Sequence, residues 1–375
     1  MLVSDYNYDL PEERIAKFPP KERGSTRLLV LNRQTGNIID SFYRNLDEFL
    51  NPGDVVILND TRVMQSRIFC ELPDGRKREL VVLEKHGNEP QLVMYRGKLH
   101  EIDELRLKLP VSRHFSTNEE QVSEVSPVTD RPLGRGRPEG STGRDERAEK
   151  QVIQSPLVIV KKILGNGIAE VESDTPLFEL AEKYGTVPLP PYLHRDATED
   201  DKKRYQTVWA KHMGSAAAPT ASLNMTENLL ERLKQKGVII KYLTLHVGLG
   251  TFLPMRTDKV EDHQMHSEWF QIPEDTLDAI KNHNQRIIAV GTTVARTLEY
   301  YAKTGKTSDE DDIFIYPGFE FKIVDALLTN YHAPKSTVLM LASAFAGWDN
   351  LKHAYDHAIK EKYNFLSYGD SMLIC

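Results

Sequence analysis

At 375 residues, 40% of them hydrophobic, the chain is long enough for one large core and a second, smaller one. Its net charge of -7 excludes a general polyanion binder, because nonspecific affinity for nucleic acid comes from Lys and Arg neutralising phosphates, so any RNA contact must use a local patch. No apolar run approaches the ~20 residues that cross a bilayer, and MLVSDYNYDLPEE lacks the basic-then-hydrophobic order of a leader; no membrane contact and a cytoplasmic location are expected.

Arg27 to Asn59 reads as strand, turn, strand, with GDVVILND a buried strand after Pro52-Gly53. NDTRV follows where that strand leaves the core; Asn59, Asp60 and Arg62 belong either to a site or to an ion pair. Arg78 to Val93 and Gln151 to Val171 alternate in polarity without helical periodicity, which predicts a small antiparallel β-domain inserted over residues 68–175. The two cysteines, Cys70 and Cys375, are too few and too far apart for a disulfide framework, so reduced thiols are expected. Residues 112–150 are nearly free of large apolar side chains and interleave Arg with Gly; a mobile loop is expected, with an RNA-contacting arm as the alternative.

Beyond Thr175 the pattern becomes helices alternating with strands, so residues 1–67 and 176–375 form the main α/β domain, with a largely parallel sheet and its site at the carboxyl edge. GTVPLPPYLHR reads as a rigid proline-rich connection. In HVGLGTF, alternation puts His246, Gly248 and Gly250 on one face beside Thr251, a wall for a flat ligand or a glycine-bulged strand with a satisfied histidine. EDHQMHSEWF places His266 and Glu268 on one side if extended, a pair able to move protons. His263 and His266 have HxxH spacing without the helical i, i+4 pattern, so no metal site is expected.

AVGTTVARTLE sets Gly291, Thr292 and Thr293 between a buried strand and a helix, where free amides favour an anion and Arg296 can add a contact; an unoccupied threonine cap is the alternative. LLTNYHAPKST ends a strand with Thr329, Asn330 and His332, and Lys335 and Ser336 open the next helix. YPGFEF, with Tyr316 and Gly318, and SYGDSMLI, with Tyr368 and Asp370, add aromatic surface that is either core or a stacking platform.

Taken together, DYNYDLPEERIAKFP, GDVVILNDTRV, PLPPY, RYQTVWA, AAPTA, HVGLGTF, HxMHSEW, AVGTTVARTLE, YPGFEF, DALLTNYHAPKST and SYGDSMLI resemble the S-adenosylmethionine:tRNA ribosyltransferase-isomerase family of queuosine biosynthesis, in order over nearly the whole chain. The resemblance implies a large barrel-like α/β domain with a mixed sheet carrying a smaller inserted antiparallel β-barrel. It implies transfer and isomerisation of the ribosyl group of S-adenosylmethionine onto the 7-aminomethyl-7-deazaguanine base of a tRNA anticodon loop, with S-adenosylmethionine consumed and no cofactor or metal needed. His246 or His266 would handle protons, with Glu268 supporting and Asp370 a further candidate. Gly291 to Thr293 with Arg296 would hold the methionyl carboxylate or a tRNA phosphate. Where the family usually carries AAPTAGLHFT, this chain reads AAPTASLNMT: Thr220 stands, but Asn224 replaces a histidine, which raises the alternative of a binding homologue with impaired turnover. A monomer is expected of two domains of this size.

Overall fold

The computed structural model describes residues 1–83, 91–108, 155–165, 167–248 and 255–375. The Arg/Gly segment 112–150, Gly250 and Thr251 lie outside them. In chain order, β1 (Arg27–Leu31), β2 (Ile38–Phe42), β3 (Val55–Asn59) and β4 (Thr61–Val63) lead into β5 (Arg67–Glu71), β6 (Lys77–Val82), β7 (Gln91–Arg96), β8 (Glu104–Leu107), β9 (Leu157–Gly165) and β10 (Ile168–Ser173). Then come α1 (Leu177–Tyr184), α2 (Glu199–Arg204), β11 (His212–Ser215), α3 (Glu227–Gln235), β12 (Ile239–Leu245), β13 (Glu268–Gln271), α4 (Glu274–Lys281) and β14 (Ile287–Val290). The chain closes with α5 (Thr292–Thr304), β15 (Ser308–Asp311), β16 (Ala326–Asn330), α6 (Thr337–Ala346), α7 (Trp348–Lys360) and β17 (Ser371–Ile374).

Nine strands form one mixed sheet, ordered β15-β13-β12-β3-β14-β16-β17-β1-β2. Its centre, β12-β3-β14-β16, is parallel. The sequences VVILN, IIAV and ALLTN are buried at every position, as strands covered on both faces must be. The pleat sends Ile57, Ala289 and Leu327 to a core shared with α5, α6 and α7, while Val56, Ile288 and Leu328 meet α3 on the other face. Antiparallel strands β13 and β15 flank the parallel centre on one side and β17 on the other.

β5 to β10 close into a separate antiparallel barrel, ordered β10-β7-β6-β5-β8-β9. Alternation fills it: Leu105 and Leu107 of β8 and Val158 and Val160 of β9 point inward beside charged or partly exposed neighbours. α1 covers the barrel with Leu177, Leu180 and Ala181. Among the described residues the larger sheet ends at β15 and β2, and β4 and β11 pair as a separate parallel two-stranded sheet.

The chain returns from the barrel through Gly185, whose amide donates to the Ala181 carbonyl at 2.7 Å, next to a bridge between Thr186 and Arg67. A Cβ there would stand 1.9 Å from the Gln65 carbonyl oxygen and 2.4 Å from that of Ala181, so only glycine fits. Gly185→Ala is therefore expected to destabilise the fold by about 2–4 kcal/mol, the range of forced backbone displacement. Urea unfolding checks this; an unchanged midpoint would contradict the packing of barrel against sheet.

Candidate active site

The carboxyl ends of β14 and β16 lie side by side, and each strand runs into a helix at that edge. After β14 the turn is made by Gly291 at φ +99°, a conformation that suits glycine, with its amide held by the Leu328 carbonyl at 2.8 Å. No side chain caps α5, so its first amides and its positive dipole end face the space beyond the sheet. α6 differs: the Ser336 hydroxyl accepts from the Leu339 amide at 3.3 Å, closing that helix start.

Between them lies a cleft with an empty volume of ≈ 920 Å³, open mouth included. Thr220, Gly291 to Thr293, Thr329, Asn330, His332 and Ser336 line it, with Tyr192, Ser367, Val247 and Leu366. His332 is held on three sides: Nε2 lies 2.8 Å from the Thr329 hydroxyl, its amide donates to the Tyr355 hydroxyl at 2.9 Å, and its carbonyl accepts from the Tyr8 hydroxyl. Burial lowers its pKa to about 3, so the ring is neutral near pH 7 and acts as a hydrogen-bonding wall. Asn330 is only 3% exposed, and neither atom of its carboxamide has a partner among the described residues. Such an orphan costs about 1–3 kcal/mol unless a ligand or water pairs it.

A smaller cavity shares Thr292, Thr293 and Val338 with the cleft and is bordered by Arg296 and Met265. Glu268 of β13 and Asp311 of β15 are register partners on adjacent antiparallel strands, so two carboxylates face the same way and require a cation between them. Arg296 supplies it: Nη2 donates to Glu268 Oε2 at 2.7 Å and Nε to Asp311 Oδ2 at 3.0 Å. The other Glu268 oxygen accepts from the Gly248 amide at 2.8 Å and lies 3.4 Å from His266 Nε2. Burial raises the Glu268 pKa, but Arg296, His266 and the Gly248 amide outweigh it and bring it to about 2. For Asp311 burial wins over the same guanidinium, and its carboxyl is pushed up. One cation thus serves two carboxylates, and Arg296, expected to hold an anion with the Gly291 turn, is committed within the protein.

Other residues singled out by the sequence, His246 and Asp370 among them, do not line this cleft. His246 stacks on Trp269 at 5.1 Å and 20°, with Nδ1 2.8 Å from the Thr61 hydroxyl. A Cβ on Gly214 would come within 2.6 Å of that ring, which shows how tightly it is enclosed. Asp370 accepts from the amides of Arg27 and Asn364, both at 2.6 Å, and so braces backbone; burial pushes its carboxyl up. Asn59 ties β3 to β12 through both backbone groups of Leu245, Asp60 accepts from the Thr244 hydroxyl at 2.7 Å, and Arg62 is exposed on a different groove. Tyr368 donates to Asp201, itself paired with Arg195. Asn224 is 2% exposed and donates to the Gly369 carbonyl at 3.2 Å. Lys335, at φ +55°, and Gly318 are exposed, and Tyr316 tilts against Phe314 at 5.2 Å. Among the described residues no three His, Cys, Asp or Glu side chains are gathered as metal ligands.

Sequence reasoning missed Tyr192, Ser367 and Asp311. Tyr192 was hidden in a proline-rich run that reads as a spacer, and Asp311 in the charged run SDEDD, where only strand register reveals its partner.

The family model described as queuosine biosynthesis protein matches residues 3–374. The chain is 48% identical to the S-adenosylmethionine:tRNA ribosyltransferase-isomerase of Chlorobium phaeobacteroides and 42% identical to that of a Sulfurihydrogenibium species, with 100% of each chain covered. A crystal structure of an S-adenosylmethionine tRNA ribosyltransferase from Thermotoga maritima is similar at a TM-score of 0.50 and 28% identity, covering 99% of this chain and 100% of that one.

The buried triad generates a pH signature. Because the Glu268 pKa is depressed in the folded protein, its contribution is present above its ordinary value of 4.5 and is lost as pH falls towards 2. Arg296→Met removes the guanidinium that neutralises two buried carboxylates and is expected to cost about 3–5 kcal/mol at pH 7. The variant's carboxyls then favour protonation on folding, so its stability rises as pH falls from about 7 to about 5, a slope that urea titrations measure. A variant as stable as the parent across that range would contradict the triad.

Proposed function

The chain belongs to the queuosine biosynthesis protein family, and from that membership we infer that it is an S-adenosylmethionine:tRNA ribosyltransferase-isomerase. It transfers and isomerises the ribosyl group of S-adenosylmethionine onto the 7-aminomethyl-7-deazaguanine base of tRNA, giving the epoxycyclopentane product with release of adenine and methionine. The observation that carries this reading is the full-length family match on a chain whose sheet edge opens a cleft at an uncapped helix start.

The substrate has an anionic end, a cationic sulfonium and a flat purine. The methionyl carboxylate fits the amides of Thr292 and Thr293, where the dipole of α5 and charge-assisted hydrogen bonds act together. The sulfonium acidifies the adjoining ribose carbon, so a base can take its proton. The carbanion so formed makes a double bond to the neighbouring ring carbon, whose bond to the ring oxygen breaks, and that oxygen becomes the anomeric carbonyl as adenine leaves with the glycosidic bonding pair. The exocyclic amine of the deazaguanine adds across the new double bond and gives up its proton, the carbanion regenerated beside the sulfonium attacks the anomeric carbonyl to close the cyclopentane, and the resulting alkoxide displaces methionine as a neutral thioether to form the epoxide. His266, partly exposed and paired with Glu268, takes the proton-handling role, while Glu268, anionic throughout the physiological range, orients it. His332 stays neutral and serves ribose hydroxyls. S-adenosylmethionine is consumed, and this chemistry requires no resident metal or redox group.

The impaired-homologue alternative draws no support from Asn224. That residue is not among those lining the cleft, and it links its turn to the Gly369 carbonyl.

Incubation with S-adenosylmethionine and tRNA carrying the deazaguanine precursor is expected to release adenine; its absence would overturn the activity. In the same assay His266→Ala is expected to lower kcat by about 10²- to 10⁴-fold, the range for loss of a general acid–base group; an undiminished rate would remove His266 from the proton transfer. Decarboxylated S-adenosylmethionine is expected to bind about 10- to 100-fold more weakly than the parent, from the loss of charge-assisted bonds at α5. Equal affinities by calorimetry would place the carboxylate elsewhere.

A further inference from the structure

We propose that Asn330 reads the α-amino acid end of S-adenosylmethionine, its carboxamide oxygen accepting from the ammonium and its nitrogen donating to the carboxylate held at the α5 start. This rests on the reading above. Asn330 closes β16 and is 3% exposed, it lines the cleft, and neither atom of its carboxamide has a partner among the described residues. A buried group with an acceptor and two donors left open calls for a ligand that both donates and accepts. The methionyl end does so from a single carbon, which carries the ammonium and the carboxylate side by side.

Strand pairing sets the place. Val290 of β14 and Leu328 of β16 are register partners, and the Gly291 amide bonds the Leu328 carbonyl at 2.8 Å. Thr292 and Asn330 each follow two residues beyond that pair, at one edge of the sheet and in the lining of one cleft. A carboxylate at the α5 amides therefore has Asn330 beside it. The ammonium of the same molecule needs an acceptor, and among the described residues no Asp or Glu lines the cleft. Two neighbouring hydroxyls are engaged: that of Thr329 with His332 Nε2, and that of Ser336 with the Ala333 carbonyl and the Leu339 amide. Asn330 Oδ1 is an acceptor for which no donor competes among the described residues. Being neutral, the carboxamide takes the ammonium without repelling the carboxylate from the positive end of α5, as an anionic side chain would.

The test is calorimetry on the full chain with S-adenosylhomocysteine, which carries the amino acid end, and with 5′-methylthioadenosine, which keeps the nucleoside thioether and lacks that end. Asn330→Leu preserves the branched shape without the polar atoms and is expected to weaken S-adenosylhomocysteine about 10- to 150-fold, the value of a hydrogen bond to a charged group. Binding of 5′-methylthioadenosine is expected to be unchanged, which also shows the variant to be folded. Asn330→Ala, too small to obstruct the cleft, is expected to show the same selective loss. Unchanged S-adenosylhomocysteine binding in both variants overturns the proposal and leaves water as the partner of the carboxamide. An equal loss for both probes, in variants that keep the parent's urea transition, assigns Asn330 to the nucleoside and overturns it too. If the parent chain binds neither probe, it is the functional reading that fails, since that result does not depend on Asn330.

Discussion

The parallel pairing of β14 with β16 is the constraint on which the rest depends. Two adjacent strands running the same way must end at the same edge, and each here continues into a helix whose amino end is left beside the other's. Gly291 makes the first turn tight enough to leave the α5 amides bare, while Ser336 closes α6. One anion-favouring start and one satisfied start give the cleft a polarity, with a charged group drawn to one end and apolar surface left at the other.

The same helix carries that edge into the charge network. Arg296 lies one turn along α5 and reaches Glu268 and Asp311, whose register on β13 and β15 fixes them as neighbours. Glu268 is thereby held anionic and still presents its second oxygen to Gly248 and His266. Movement of α5 would be felt by Glu268 and, through it, by His266, because a single guanidinium connects helix and strand.

Much of the fold was legible because burial writes itself into local sequence. GDVVILN, RIIAVG and DALLTN read as two-sided strands through unbroken apolar runs, and Val158 and Val160 mark the barrel through alternation. Ser336 was readable as the opening of a helix and caps α6. The site was only half legible. Thr329, Asn330, His332 and the Gly291 turn reach the cleft, yet Asn59, Asp60, His246, Asp370 and Tyr368 sit at equally suggestive positions and bond to the protein itself. A polar residue that braces backbone and one that awaits a ligand look alike at a strand end. The difference lies in partners 186 residues away for Asn59 and 343 for Asp370, which no local pattern encodes.

A crystal structure with bound S-adenosylhomocysteine addresses the arrangement most directly. The proposed function predicts its carboxylate at the Thr292 and Thr293 amides, within the cleft at the start of α5. Density for the ligand in the groove of Arg62, Gln206 and Met213, between barrel and sheet, would contradict it.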